Sequence, residues 1–253
     1  MLSIKNISHK YQDTNGEVDA ISNISFDADD GEYISIVGPS GCGKSTLLSI
    51  ICGIIKPSSG EIFVSDEKLE GISPKIGYML QKDNLLEWRT VYKNVIFGLE
   101  IRNMLNDENE EYAINLLKTY GLYEFKDKFP AQLSGGMRQR VALIRTLCAK
   151  PEILLLDEAF SALDYQTRLA VTDDVYRIIK NENKTTLMVT HDIPEAISMS
   201  DRVVVLTERP AKINEIVDIN FNESGAIYPL ERRKSPEFSR YFDEIWKELE
   251  LRV

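Results

Sequence analysis

Apolar and polar residues alternate with a period of two in the first runs of the chain, LSIKNIS, ISNISFDA and YISIV, the last ending at Val37. Alternation of this kind gives a strand one apolar face, so each run is expected in a sheet. GEIFV and IGYML follow after a first helical pattern and read the same way. From Val91 to about Lys150 the period becomes helical, with segments near 91–104, 108–120 and 135–149, the middle one stopped by Gly121. Beyond it come the wholly apolar runs ILLL (153–156), TLMVT (186–190) and VVVL (203–206), separated by helical patterns from about Gln166 and from Pro194. Buried strands alternating with helices imply a parallel sheet. The expected fold class is α/β, with a strand-rich front, a helical insert and a parallel-sheet core.

The end of the chain, SPEFSRYFDEIWKELEL, predicts one more helix, with Ser235 as its cap and Pro236 at its first position. Phe238, Tyr241, Phe242, Ile245, Trp246 and Leu249 share one face at helical spacing. That face is expected to dock on the chain's own domain rather than on a partner. No segment repeats at a fixed period, so the 253 residues are read as one unit, not a tandem pair.

Charge narrows the classes. Thirty basic residues against forty acidic ones give a net charge of −10, which disfavours non-specific attraction to nucleic acid or an anionic membrane surface. Cys42, Cys52 and Cys148 have neither an even count nor a CxxC spacing, which fits a reducing compartment and small packing residues. MLSIKNISHKY lacks the charged start and apolar core of a signal peptide, so export is not expected. LLSIICGII is far short of the roughly 20 apolar residues that cross a bilayer.

The candidate chemistry begins at Gly38. GPSGCGKST matches GxxxxGK[ST] between a predicted strand and a helix opened by Lys44, the context in which such a loop cradles phosphates. Gly38, Gly41 and Gly43 let backbone N–H groups turn onto phosphate oxygens. Lys44 is placed to reach the β- and γ-phosphates, and Ser45 to ligate Mg²⁺. The rest of the loop, Pro39, Ser40, Cys42 and Thr46, is expected to line the same nucleotide. ILLLDE ends a buried strand in two carboxylates, at the sheet edge where α/β proteins bind ligands. Asp157 is assigned to the metal and Glu158 to the attacking water. By itself such an acidic pair is more often a helix cap; beside a phosphate loop the metal reading prevails.

LSGGMRQR, from Leu133 to Arg140, places Ser134, Gly135 and Gly136 at a helix start, a second arrangement suited to an anion. In a chain without a phosphate loop it would be read as a turn that caps a helix. Together the three motifs resemble the ATP-binding cassette of ABC transporters over nearly the whole chain. That resemblance implies a parallel-sheet core of the phosphate-loop NTPase type, an N-terminal antiparallel β subdomain and a helical insert. The implied division is 1–86 and 151–220 for the core with its β subdomain, 87–150 for the helical signature part and 221–253 for the tail. It also implies that Tyr11 stacks on adenine, that Gln81 joins the two subdomains at the metal and the reacting water, and that SALD (161–164) contacts a second cassette. His191 in TLMVTHD becomes the switch at the γ-phosphate. ATP and Mg²⁺ are the implied cofactors.

In the family two cassettes pack head to tail, so Ser134, Gly135 and Gly136 of one copy cover the ATP of the other. Met137 stands where Gln is usual and Ala159 where Pro is usual; neither removes a phosphate ligand. The short run from Gln81 to Ser134 excludes the coiled-coil arms of chromosome and repair ATPases, and a single cassette disfavours the translation-factor type. NLLEWRTVYKNV, DEAFSALD and RPAKI resemble importers for nitrate, sulfonates and taurine, whose relatives include cassettes for vitamin precursors. The implied partners are a second copy, integral membrane permease subunits and an extracytoplasmic substrate-binding protein, with the chain at the cytoplasmic face of the membrane and no nucleic acid bound. The competing expectation is a soluble ATP-dependent switch with no permease.

Overall fold

The protein is described here by a computed structural model over residues 1–13 and 16–250. Thr14, Asn15 and the final three positions of the expected tail segment 221–253 lie outside the described residues. The strands are β1 (Leu2–Asp13), β2 (Gly16–Ala28), β3 (Tyr33–Val37), β4 (Ser59–Val64), β5 (Glu67–Lys68), β6 (Ile76–Met79), β7 (Ile153–Asp157), β8 (Thr185–Val189), β9 (Arg202–Leu206) and β10 (Ile213–Asp218). The helices are α1 (Lys44–Ile51), α2 (Val91–Val95), α3 (Phe97–Ile101), α4 (Asp107–Thr119), α5 (Gly135–Cys148), α6 (Tyr165–Asn181), α7 (Ile193–Met199), α8 (Pro229–Arg232) and α9 (Pro236–Glu250).

Two sheets form. One has the order β2-β1-β4-β5 and is antiparallel throughout. The other runs β10-β9-β3-β8-β7-β6, parallel from β9 to β6, with β10 antiparallel at its edge. Strand alternation divides the core between the faces of this second sheet. Ile34, Ile36, Ile153, Leu155, Leu187 and Val189 join α1 and the antiparallel sheet on one side. Tyr33, Leu154, Leu156 and Met188 join the insert helices and α6 on the other. The helical insert therefore has no separate core; its apolar residues are continuous with the sheet's own.

The expected helix at 91–104 is broken at Ile96, whose ψ of −2° ends α2 and starts α3. Val91, Val95, Ile96 and Leu99 all lie in one buried cluster with α4 and α5. Asn106 caps α4 through Asn109 N–H at 2.9 Å, and Gly121, at φ +68°, follows its end. All three cysteines are buried, as packing residues should be. Strand β10 carries no apolar alternation because it is an edge strand with Val217 as its one buried side chain.

The tail docks on its own domain. Tyr241 and Ile245 of α9 are buried with Ile193, Ala196 and Ile197 of α7 and Val203 and Val205 of β9. The Tyr241 hydroxyl donates to the Asn220 carbonyl and accepts from its N–H, at 3.0 and 3.1 Å. Trp246 stays 46% exposed, stacked on Phe242.

Candidate active site

Every candidate catalytic group follows the carboxyl end of a strand in the parallel sheet, where open α/β sheets bind ligands. Arg209 lies beyond β9, the glycine loop beyond β3, His191 beyond β8, Asp157 and Glu158 at the end of β7, and Gln81 beyond β6. Read in spatial order, these strand ends set the groups side by side although they span much of the sequence. They border a cleft of about 490 Å³ lined by Ser40, Gly41, Gly43, Lys44, Ser45, Thr46, Glu158, His191 and Arg209.

Gly43 holds φ +125°, and a Cβ there would sit 3.1 Å from the Ala20 carbonyl oxygen, so the loop needs glycine on both counts. Lys44 is buried and its ammonium donates to the carbonyls of Gly38 (2.8 Å) and Pro39 (2.9 Å). The lysine thus closes the glycine loop on itself. Cys42 contributes backbone only, since its thiol is buried in the core. Tyr11 does not line the cleft but reaches its edge, its hydroxyl 3.1 Å from Thr46 Oγ1 and its ring edge-on to His9.

Asp157 accepts from Ser45 Oγ at 3.1 Å and from the Tyr78 hydroxyl at 3.0 Å. Burial pushes its carboxyl above the ordinary value; Tyr78 and Ser45 oppose that shift, and the Glu158 charge adds to it. A cation at this point would favour the ionised form. Ser45 hydroxyl and Asp157 carboxylate, 3.1 Å apart, present oxygen donors that fit a hard divalent ion taking few protein ligands, whereas the hydrogen bonds of Gln81 run to Glu158 and Ser161. Glu158 is a non-glycine residue at φ +46°, fixed by its N–H to the Val189 carbonyl at 2.9 Å and by its own carbonyl, which accepts from Ser161. Gln81 Nε2 donates to Glu158 Oε2 at 3.2 Å and to Ser161 Oγ at 3.3 Å. His191 Nδ1 lies 3.4 Å from the same Glu158 oxygen.

Ser134 caps α5, accepting from Met137 N–H at 3.3 Å, and is exposed with Gly135. Neither lines the chain's own cleft. Gly136 differs: it is buried, and a Cβ there would meet Val171 of α6 at 2.7 Å. Its side-chain position therefore serves helix packing. Met137 packs against the same core. Arg138 grips Asp83 at 2.8 and 3.0 Å and Glu87 at 2.7 Å, while Arg145 donates to the Asp83 and Asn84 carbonyls. The segment after Gln81 is thereby fastened to α5. Asp164 caps α6 through Thr167 N–H.

Sequence patterns missed Tyr78 and the contacts that Ser161 and Arg209 make at the site. Tyr78 was findable in principle, because IGYML and ILLLD are adjacent parallel strands and Tyr78 pairs with Leu155, two residues before Asp157. Ser161 opens SALD and Arg209 opens RPAKI, but only the folded chain brings them to Gln81 and to the glycine loop.

A strand–glycine loop–helix unit with a carboxylate pair at the end of the next strand but one, β7 beyond β8, defines a phosphate-loop nucleotide hydrolase. Residues 21–161 match the ABC transporter family, to whose ATP-binding proteins this chain belongs, and it is an ATPase. It is 45% identical over 248 residues to an uncharacterized ABC transporter ATP-binding protein, YtlC, of Bacillus subtilis (strain 168), covering 98% of this chain and 95% of that one. The taurine import ATP-binding protein TauB of Roseobacter denitrificans is 37% identical over 246 residues, 96% of this chain and 92% of its own. The nitrate transport protein NasD of Klebsiella oxytoca is 38% identical over 245 residues, with 95% and 92% covered. Among solved structures, the dimeric ABC transporter cassette MJ0796 superposes with a TM-score of 0.72 at 30% identity, covering 87% of this chain and all of that one. Its post-hydrolysis state with ADP and Pi gives 0.71 at the same identity and coverage. No helix among the described residues is long and apolar enough to cross a membrane.

Proposed function

We propose that this chain is the ATP-hydrolysing subunit of an importer, working as a head-to-tail pair of cassettes beneath separate membrane permease subunits at the cytoplasmic face. One observation carries the pairing: Ser134 and Gly135 are exposed and lie outside the cleft that holds Lys44, Glu158 and His191. A cassette with its signature helix start turned away from its own phosphate loop supplies it to a neighbour's. The exposed N–H groups then meet the γ-phosphate only when the dimer closes. The division into core (1–86, 151–220), helical signature part (87–150) and tail (221–253) belongs to this reading.

Within each site Lys44 exchanges the Gly38 and Pro39 carbonyls for the β- and γ-phosphates. Ser45, Asp157 and Gln81 would hold Mg²⁺, which neutralises phosphate charge. Glu158 accepts the proton of the attacking water, with Gln81 and His191 orienting its carboxylate from two sides. Tyr11, tethered at Thr46, is placed to stack on the base. The names of TauB and NasD favour a small anion such as taurine or nitrate as cargo, delivered by a binding protein outside the membrane.

A mixing experiment tests the pairing. Lys44→Ala and Gly135→Asp subunits are each inactive alone, the first in its own loop and the second in the signature it lends. Mixed, they regain about a quarter of wild-type ATPase, because half the dimers form at random as heterodimers with one intact site of two. No recovery would sink the shared site. ATPase unchanged by the permease would instead favour the soluble switch.

A further inference from the structure

Arg209 belongs to none of the motifs that define the site, yet it lines the same cleft as Lys44 and His191. Its position is built by the fold. Strand β9 pairs with β3 up to Val37 and Val205, so the turn after Leu206 emerges beside the first residue of the glycine loop. Leu206 sits so close to Gly38 that an added Cβ would meet it at 3.1 Å. The turn is closed by Thr207 N–H to the Lys212 carbonyl (2.9 Å) and Lys212 N–H to Thr207 Oγ1 (3.0 Å). It is also fastened to β2, since Ala211 N–H donates to the Ala20 carbonyl at 3.0 Å and Ser22 N–H to the Ala211 carbonyl at 2.9 Å. Ala20 is the residue that crowds Gly43 from outside. Turn, sheet and loop therefore form one unit, and the arginine is presented by a braced support.

Among the described residues the guanidinium makes a single hydrogen bond, Nη2 to the Gly41 carbonyl at 3.0 Å. Among the described residues no carboxylate lies within ion-pair distance of it. The one carboxylate lining the cleft, Glu158, is engaged by Gln81 and His191. Lys44, the other fixed cation there, is spent on two carbonyls. A guanidinium carries five donors in a planar fork that matches phosphate oxygens, and a neutral carbonyl uses one of them. A charge held over a phosphate loop with its donors uncommitted is complementary to a polyphosphate.

We infer that Arg209 is a nucleotide-binding residue, a second cationic contact for the terminal phosphates of ATP, which it reaches from the β9–β10 turn over Gly41. The inference rests on the glycine loop being the ATP site.

Equilibrium titration calorimetry with MgATP and MgADP on wild type, Arg209→Ala and Arg209→Gln tests it. Glutamine retains a donor for the Gly41 carbonyl but has no charge, so it separates phosphate contact from bracing of the loop. Both variants are expected to lose ATP affinity by about tenfold or more, ADP affinity by less, and to show a shallower dependence of ATP affinity on salt. Arg209→Lys should recover part of the loss. Unchanged ATP affinity in both variants overturns the inference. So does an equal loss for ATP and ADP in Arg209→Ala that glutamine restores, which would make Arg209 a brace. Lys44→Ala in the same titration is the control: if it bound ATP normally, the assignment of the loop itself would have failed.

Discussion

Glu158 Oε2 and His191 Nδ1 lie 3.4 Å apart across the ends of β7 and β8, and the same oxygen accepts from Gln81 on the other side. Three loops that are distant in sequence thus converge on one carboxylate oxygen. Strands β6, β7 and β8 are neighbours in the parallel sheet, so their register fixes the spacing of these loops. The left-handed φ of Glu158 turns its side chain out of the strand at the point where the chain leaves the sheet.

Glu158→Gln should keep ATP binding and lose nearly all hydrolysis, because an amide does not accept the water's proton while the phosphate loop is untouched. ATP then traps the paired state. Size-exclusion chromatography of the variant with ATP and Mg²⁺, beside a phosphate-release assay, checks both halves. Hydrolysis at the wild-type rate would remove Glu158 from its role.

A second carboxylate, Glu195, gives the protein a pH dependence. It is 3% exposed, accepts from the Thr190 hydroxyl through one oxygen, and its other oxygen has no hydrogen-bond partner among the described residues. Burial pushes its carboxyl up to about 7 from an ordinary 4.5; Thr190 opposes the shift, Asp192 adds to it, and Arg168 and Arg233 oppose it. The folded state therefore binds the proton more tightly than the unfolded chain. Its contribution to stability is fully present below pH 4.5 and is lost as pH rises through about 7, on the order of 3 kcal/mol in all. Glu195→Gln, which stays neutral, should melt above wild type at pH 8 and flatten the fall between the two pKa values. Melting curves at a series of pH values decide it: parallel profiles for the two proteins would show that Glu195 is not the titrating group.

The sequence carried the glycine loop, the acidic strand end and the α5 cap because each is local. Gly38 to Thr46, Asp157 with Glu158, and Ser134 are specified by neighbours a few positions away. The helix break at Ile96 and the edge strand β10 were not legible, since tertiary packing decides the first and the second buries too little to show a pattern. Glu195 is an ordinary acidic helix residue until α6, α7 and the tail close over it. Leu85 and Trp88 make the same point within one segment. Both are large and apolar in a loop, but Leu85 is 6% exposed and Trp88 75%.

That contrast separates two accounts of the segment after Gln81. Leu85 belongs to the core, and Asn94, fully buried, holds the loop by accepting from Leu86 N–H and donating to the Leu86, Arg89 and Thr90 carbonyls. Glu87 is bridged to Arg138 of α5, and Arg89 to Glu100 of α3 at 2.6 Å. Trp88 is therefore an exposed indole on a loop pinned from both sides, which costs little entropy to immobilise against a partner. Such a residue suits an interface anchor, and Trp is enriched at binding hot spots. The partner proposed for it is the permease. Trp88→Ala should leave the melting temperature and the basal ATPase of the isolated subunit nearly unchanged, because exposed side chains contribute within about 0.5 kcal/mol. Assembly with the permease should weaken by about 2 kcal/mol or more. Co-purification of the variant with tagged permease, alongside its melting curve, is the measurement. Intact assembly with a lowered melting temperature would make Trp88 a residue of the fold and leave the permease contact to be sought elsewhere on the insert.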